Sequence, residues 1–477
     1  NGVVPGVNNP PATGAGAFVI SVGSITSTLN GGSDVTITTA QPAFAQAGDI
    51  TVQNPVNWTG AGSLTLEADG SVVVNASMRS FGTGDLTMLA RTGDVVISGG
   101  GGNRLVTTNG GAMRLEATEG SVLLRRTNLQ PNNVQVFSNA GSIGLVAGTE
   151  VRLEGGAGGG RWVRLGRVGD SSDITLAAPT ITIQGGTATN NFAEVVVGAG
   201  GSITMTAGTI NVLNGTGDQG RVGTFGQAPL TMLAETQTWT GPVRAGNGSP
   251  ANLGGDVTIS GAVNAAFQPI FALAPDRSFT QLPQGPAGTP SSYTSGEPLT
   301  ITTSGTGTIE LAGPVRATEI LLESEERVGF GAAASVTASA PGDSLVIAAG
   351  RQFRNDAGAG VLSAGGLVPG RWLLYIDAFA GMVGTEPAPR AFDLYGRLYA
   401  DNPPPTLAAF VGNRFVYGEA PVLTVTGETL SKPYGTAVTP GFTLTGLRLG
   451  DSVATALDVP PTVTSLGAPA DADVGAY

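Results

Sequence analysis

The chain has 477 residues, 75 of them glycine and 30 proline, with 12% charged and 41% hydrophobic residues and neither cysteine nor histidine. Glycine at about 16%, roughly twice average usage, is too abundant for a helical protein, and without Cys or His there is no zinc cage, thiol nucleophile, imidazole base or Ser-His-Asp triad. The net charge is −12 and every cation except Lys432 is a dispersed arginine, which argues against nucleic acid as a partner, because phosphate neutralisation needs a clustered basic face.

Length alone fits three ordinary domains or one long repetitive body with small appendages. No run of 18 apolar residues occurs that would cross a membrane as a helix. Residues 1–19 read as an extended segment. The chain opens at Asn1 without Met or an apolar export segment, as expected of a processed mature form or a piece of something longer. A cysteine-free chain also suits export in an extended state, where disulfides would form prematurely.

From residue 20 one unit recurs: apolar-x-apolar-x-Ala, a short turn, then a second alternating strand. Copies run Leu64, Leu66, Ala68 then Val72, Val74; Leu86, Met88, Ala90 then Val95, Ile97; Met113, Leu115, Ala117 then Val122, Leu124. Further copies begin at Ile143, Ile174, Ile203 and Leu230, giving steps of 22 to 31 residues. Third short strands fit at Val134 with Val136, Val163 with Leu165, and Val195 with Val197. Each strand is short and apolar on one side, so it must bury that side against equivalent strands. The steps lack helical periodicity and are too short for a four-stranded propeller blade. They predict an all-β fold, a right-handed parallel β-helix with three sides, over residues 20–267. Some 13 coils at about 4.8 Å would make a rod on the order of 60 Å long. The closing Ala would sit at a corner, and Asp69-Gly70, Thr92-Gly93-Asp94 and Glu119-Gly120 read as turns in which glycine supplies positive φ.

Residues 268–298 read as a Pro/Gly-rich excursion from the coil. Residues 299–400 resume the β-helix and end in an aromatic cap of Trp372, Tyr375, Phe379, Phe392, Tyr395 and Tyr399, since an open end would be a bare sheet edge. Residues 401–421, with Asn402-Pro403-Pro404-Pro405, read as a stiff linker, and 422–477 as a small β domain.

The blocks Leu29-Asn30-Gly31-Gly32-Ser33-Asp34-Val35, Gly48-Asp49-Ile50-Thr51-Val52, Trp58-Thr59-Gly60 and Leu64-Thr65-Leu66-Glu67-Ala68, with Gly370-Arg371-Trp372-Leu373-Leu374-Tyr375 later, resemble the filamentous-haemagglutinin-like exoproteins of bacterial two-partner secretion. Lys432-Pro433-Tyr434-Gly435, Gly446-Leu447, Gly450-Asp451 and Val474-Gly475-Ala476-Tyr477 resemble a YGX-type MBG repeat domain, in which a further strand normally follows the last motif. The resemblance implies a secreted protein of the bacterial cell surface, passed through an outer-membrane transporter, with adhesive or biofilm-matrix roles. A host or neighbouring-cell receptor or a polysaccharide would be its partner.

Parallel β-helices also carry polysaccharide lyases and hydrolases, whose chemistry needs converging carboxylates. The one dense acidic cluster, Glu323-Ser324-Glu325-Glu326-Arg327, reads as a solvated strand end, and Glu67 and Glu116 as repeats on the outer face two coils apart. No catalytic, cofactor or metal residues are therefore assigned, weak cation binding at scattered Asp turns aside, and the glycine runs at 99–102 and 155–160 read as surface loops. Arg161, Trp162 and Arg164 form a candidate contact surface, the indole either stacking on sugar or protein beside guanidinium groups or, as the plainer reading, packing under the glycine run. Three functions follow: a non-catalytic adhesin or matrix rod; a self-assembling filament in which the further C-terminal strand, where chain continuing beyond residue 477 does not supply it, is donated by Val3, Val4 or by Phe18, Val19, Ile20 of another copy; and a carbohydrate-active enzyme.

Overall fold

The computed structural model of the chain describes residues 19–39, 48–98, 102–126, 133–157, 160–246, 253–366, 369–448, 451–457 and 459–477. Alternation builds each strand. In Leu64–Ala68 the two leucines and the alanine are buried while Thr65 and Glu67 lie on the outer side. The chain turns at Asp69-Gly70, runs through Val72–Val74 and Met78–Ser80, then enters the next coil at Leu86–Ala90.

Equivalent strands lie parallel in successive coils. Leu64 stands opposite Leu86, Leu86 opposite Met113, and the column continues through Ile143, Ile174, Ile203 and Leu230. The repeat positions read from the sequence are therefore the pairing register, and the fold is a parallel β-solenoid with three faces. Its third face has 14 strands, roughly 60 Å at about 4.8 Å each. The first two faces join into one hydrogen-bonded sheet because three long strands, Asp173–Gln184, Ser202–Leu213 and Leu230–Trp239, cross the corner without a break. Apolar residues of all three faces fill one continuous interior, and Ala68, Ala90 and Ala117 close their strands fully buried.

Glycine serves close packing at the repeated turns rather than the positive φ expected there. Gly70, Gly93 and Gly120 are not among the residues with positive φ. A Cβ on Gly120 would collide with Gly93 O. Likewise one on Gly84, Gly111 or Gly141 would strike the carbonyl oxygen of Gly62, Gly84 or Gly111 in the coil before. The Asp turns are also explained by stacking. Asp34, Asp49, Asp85 and Asp94 each accept a backbone N–H from the following coil, at 2.7–2.8 Å.

Four boundaries differ from the sequence reading. Residues 22–30 are a helix, α1 (Val22–Asn30), not the first coil: Ser21 caps it by accepting the Ser24 N–H at 3.1 Å, and Ile25 and Leu29 bury against the open end. The solenoid starts at Val35, paired with Leu64. Residues 268–298 stay in register, with Phe279 opposite both Val257 and Ile309 and Tyr293 opposite Val263 and Val315. Its Pro-rich part is a loop held by Glu235, which accepts the N–H groups of Ala287 and Thr289. Residues 401–421 are not a linker, because Arg414–Tyr417 forms the last strand of the third face.

A second, outer core forms where the chain folds back over the third face. Leu407 and Leu394 cover Val346, Ala348, Leu373, Tyr375 and Val416. Beyond it, Thr424–Gly427 and Phe442–Thr445 make a small antiparallel pair, and none of the residues described from Gly418 to Tyr477 is buried.

Candidate functional site

On the third face, residues before and between the inward positions point outward and stack coil upon coil. Asn133, Trp162, Phe192 and Gln219 occupy one such column, next to the outward positions of Gln135, Arg164, Glu194 and Arg221. Trp162 and Phe192 stack with ring centres 5.7 Å apart and planes 1° from parallel. The Arg164 guanidinium lies 5.0 Å from the indole centre and 5.2 Å from the phenyl centre, and its Nε donates to Glu194 at 2.7 Å. Arg221 sits 4.7 Å from the Phe192 ring and donates to Asp218 at 2.9 Å. At the end of Arg164's own strand, the exposed Arg167 lies 5.6 Å from Phe137 of the coil before.

The result is a half-buried ridge of aromatic planes edged by guanidinium groups. Such a surface can stack on a flat apolar sugar face or an aromatic side chain, and it offers charged donors around the rim. Trp162 and Arg164 share the outer side, as alternation places them. Arg161 does not join them: it is 8% exposed, its backbone N–H donates to Asn191 Oδ1 at 2.8 Å, and its side chain turns to the corner, donating to Ala157 O. Phe192 and Arg221 were missed in reading the sequence. Both occupy the repeat positions of Trp162 and Arg164 in later coils, so aligning outward as well as inward positions would have found them.

The acidic residues are tied to neighbours. Glu67 and Glu116 do lie two coils apart across Leu89, and they pair with Arg91 and Arg114. Glu325 accepts the Gly305 N–H at 2.7 Å, Glu326 pairs with Arg351, and Arg327 with Glu310. Glu323 faces outward near Tyr399; burial, then the charge of Glu325, holds its carboxyl above the ordinary value. Among the described residues no group of three or more acidic side chains is placed to hold a metal ion.

Of the proposed strand donors, Val3, Val4 and Phe18 lie outside the described residues. Val19 is exposed, and Ile20 packs partly buried against the core. No family model, curated protein or solved structure matches this chain.

Proposed function

We propose that the chain is a non-catalytic, secreted or cell-surface rod that acts as an adhesin or extracellular matrix scaffold, exported in the manner of the filamentous-haemagglutinin-like proteins and carrying an MBG-like unit at its C-terminal end. The Trp162–Phe192 ridge carries this reading: it is an outward aromatic surface on a scaffold of stacked strands, suited to gripping a polysaccharide or a protein on another cell. The engagement of Glu67, Glu116, Glu325 and Glu326 by neighbouring groups supports adhesion over hydrolysis.

The test is a glycan array and whole-cell binding with the intact chain. A glycan or cell type bound by the native protein should lose at least tenfold in affinity with Trp162→Ala, while Thr65→Ala on another face leaves binding unchanged. Binding that is indifferent to Trp162 would remove the ridge from the function.

A filament subunit is the second reading, favoured by the unburied residues from Gly418 onward. A two-stranded pair leaves strand edges to which another copy can add.

A further inference from the structure

The outward column of the third face that runs Thr302, Glu323, Ala348, Tyr375, Val416 changes character along its length. Ala348, Tyr375 and Val416 are buried beneath the chain that folds back over them, and Tyr399 and Phe410 pack at the margin of that outer core. Glu323 comes next in the column, two coils from Tyr375, and Ala348 has no side chain beyond Cβ to separate them. The Tyr399 ring lies 5.0 Å from that of Tyr375. Burial, then the charge of Glu323, holds the Tyr399 hydroxyl above its ordinary value, which sets the carboxylate beside it.

The fold-back is pinned on either side of a turn at 398–402. Before the turn, Leu394 N–H donates to Phe415 O and Arg397 N–H to Tyr417 O, each at 2.9 Å. After it, Arg371 pairs with Asp343 and donates to the carbonyls of Leu407 and Phe410. The turn itself is held to the third face by the Tyr375 hydroxyl, which donates to Asn402 O at 2.9 Å, and by the tucked Tyr399 ring, while Leu398, Ala400 and Asp401 are exposed.

Glu323 is half-buried at the edge of this apolar patch, and no described residue gives its carboxylate a hydrogen bond or an ion pair. The charged groups around it are committed or alike in sign. Just past its own strand, Glu325 repels it and accepts the Gly305 N–H. Asp343 and Arg371 pair with each other, Arg397 donates to Asn402 Oδ1 at 3.3 Å, and Asp401 adds a further negative charge on the turn. The adjoining strand Leu299–Thr303 carries no charge.

We propose that the 398–402 turn is an acid-tightened strap: with Glu323 protonated it seats fully over the third face, and with Glu323 ionised it lifts and uncovers Ala348 and Tyr375. An ionised carboxylate holds water about itself and resists an aromatic ring laid against it, whereas the neutral acid does not. Burial raises the Glu323 pKa in the seated state, so that state binds the proton more tightly. Its contribution is full below the ordinary glutamate value and is lost as pH rises through the raised one. The strap stands independently of the adhesive reading, since it uses neither Trp162 nor Arg164.

The test is hydrogen exchange in the whole chain, expressed as protection relative to the intrinsic rate at each pH, with the strand Ile143–Ala147 as the reference for global stability. Protection at 398–402 should rise by roughly threefold or more on acidification through the range just above the ordinary glutamate value, while the reference strand stays constant. Glu323→Gln, neutral at every pH, should keep the high protection throughout and lose the pH dependence. Glu325→Gln, which removes the neighbouring charge, should move the transition to lower pH and serves if the first variant fails to fold. Flat protection in the native chain, or a pH dependence that survives unchanged in a folded variant, overturns the proposal.

Discussion

At the scale of single residues, the solenoid is specified by what each position must exclude. Leu145 is fully buried with Leu115 and Leu176 stacked on it in adjacent coils. Leu145→Asp puts an unpaired carboxylate there and should cost several kcal/mol in a denaturant titration, whereas Thr65→Asp on the outer side should be nearly silent. The glycine column gives a sharper comparison because two neighbours differ. A Cβ on Gly111 meets the Gly84 carbonyl, while one on Gly110 meets nothing within 4 Å. Gly111→Ala should therefore destabilise by roughly 1–3 kcal/mol, as overpacking does, and Gly110→Ala by no more than about 0.5 kcal/mol. Equal effects would mean that chain entropy, not contact between coils, selects glycine at these turns.

At the scale of elements, the strands were legible because burial imposes a period of two and stacking repeats it every coil. Leu64, Leu86 and Met113 are readable as partners from their spacing alone. Helix α1 was not, because Val22–Asn30 is rich in Ser and Thr and forms on the strength of its Ser21 cap and the end it covers. The 283–290 loop was misread for a similar reason: its Pro and Gly residues record a turn, and the anchor lies about 50 positions earlier, at Glu235. The ridge was half legible, since Trp162 stands out in composition while its partner Phe192 comes from the next coil.

That anchor is testable. The N–H of Ala287, followed by the Thr289 side chain, holds the Glu235 carboxyl below its ordinary value. A group with a lowered folded-state pKa contributes stability above its unfolded value, and that contribution is lost as pH falls through the folded one. Hydrogen exchange at Ala287 and Thr289, corrected for its intrinsic pH dependence, should lose protection on acidification below the ordinary carboxylate range. Glu235→Gln should show weakened protection at neutral pH with no further loss on acidification. Unchanged exchange in the variant would show that the loop is held by its own turn, through Gly285 N–H to Thr289 O at 2.8 Å.

At the scale of the whole molecule, a stack of coils has two open ends, and each exposes interior side chains and unpaired strand edges. The N-terminal end is covered by α1, whose last residue, Asn30, accepts the Thr59 N–H at 2.7 Å. Toward the other end the chain folds back on itself, with Phe379, Tyr395 and Tyr417 in mutual ring contact. Specific contacts join the C-terminal residues to this body at two places. Tyr395 donates its hydroxyl to Asp451 at 2.6 Å, and Arg448 lies 4.1 Å from the Phe379 ring.

Stability of the solenoid should therefore be nearly independent of residues 422–477, since none of those described is buried and hydrophobic stabilisation scales with the apolar area removed from water. Deleting them should leave the calorimetric Tm within a few degrees of the intact chain, and micrographs of both forms should show single rods on the order of 60 Å long at the strand spacing. A large fall in Tm would mean that the C-terminal unit closes the rod and belongs to its core. If the intact chain instead forms fibres, a head-to-tail contact without closure is at work, and the deletion tells which surface makes it. Fibres that vanish with residues 422–477 but survive loss of residues 1–20 would place the joint at the C-terminal strand edges and exclude strand donation from the N-terminal segment.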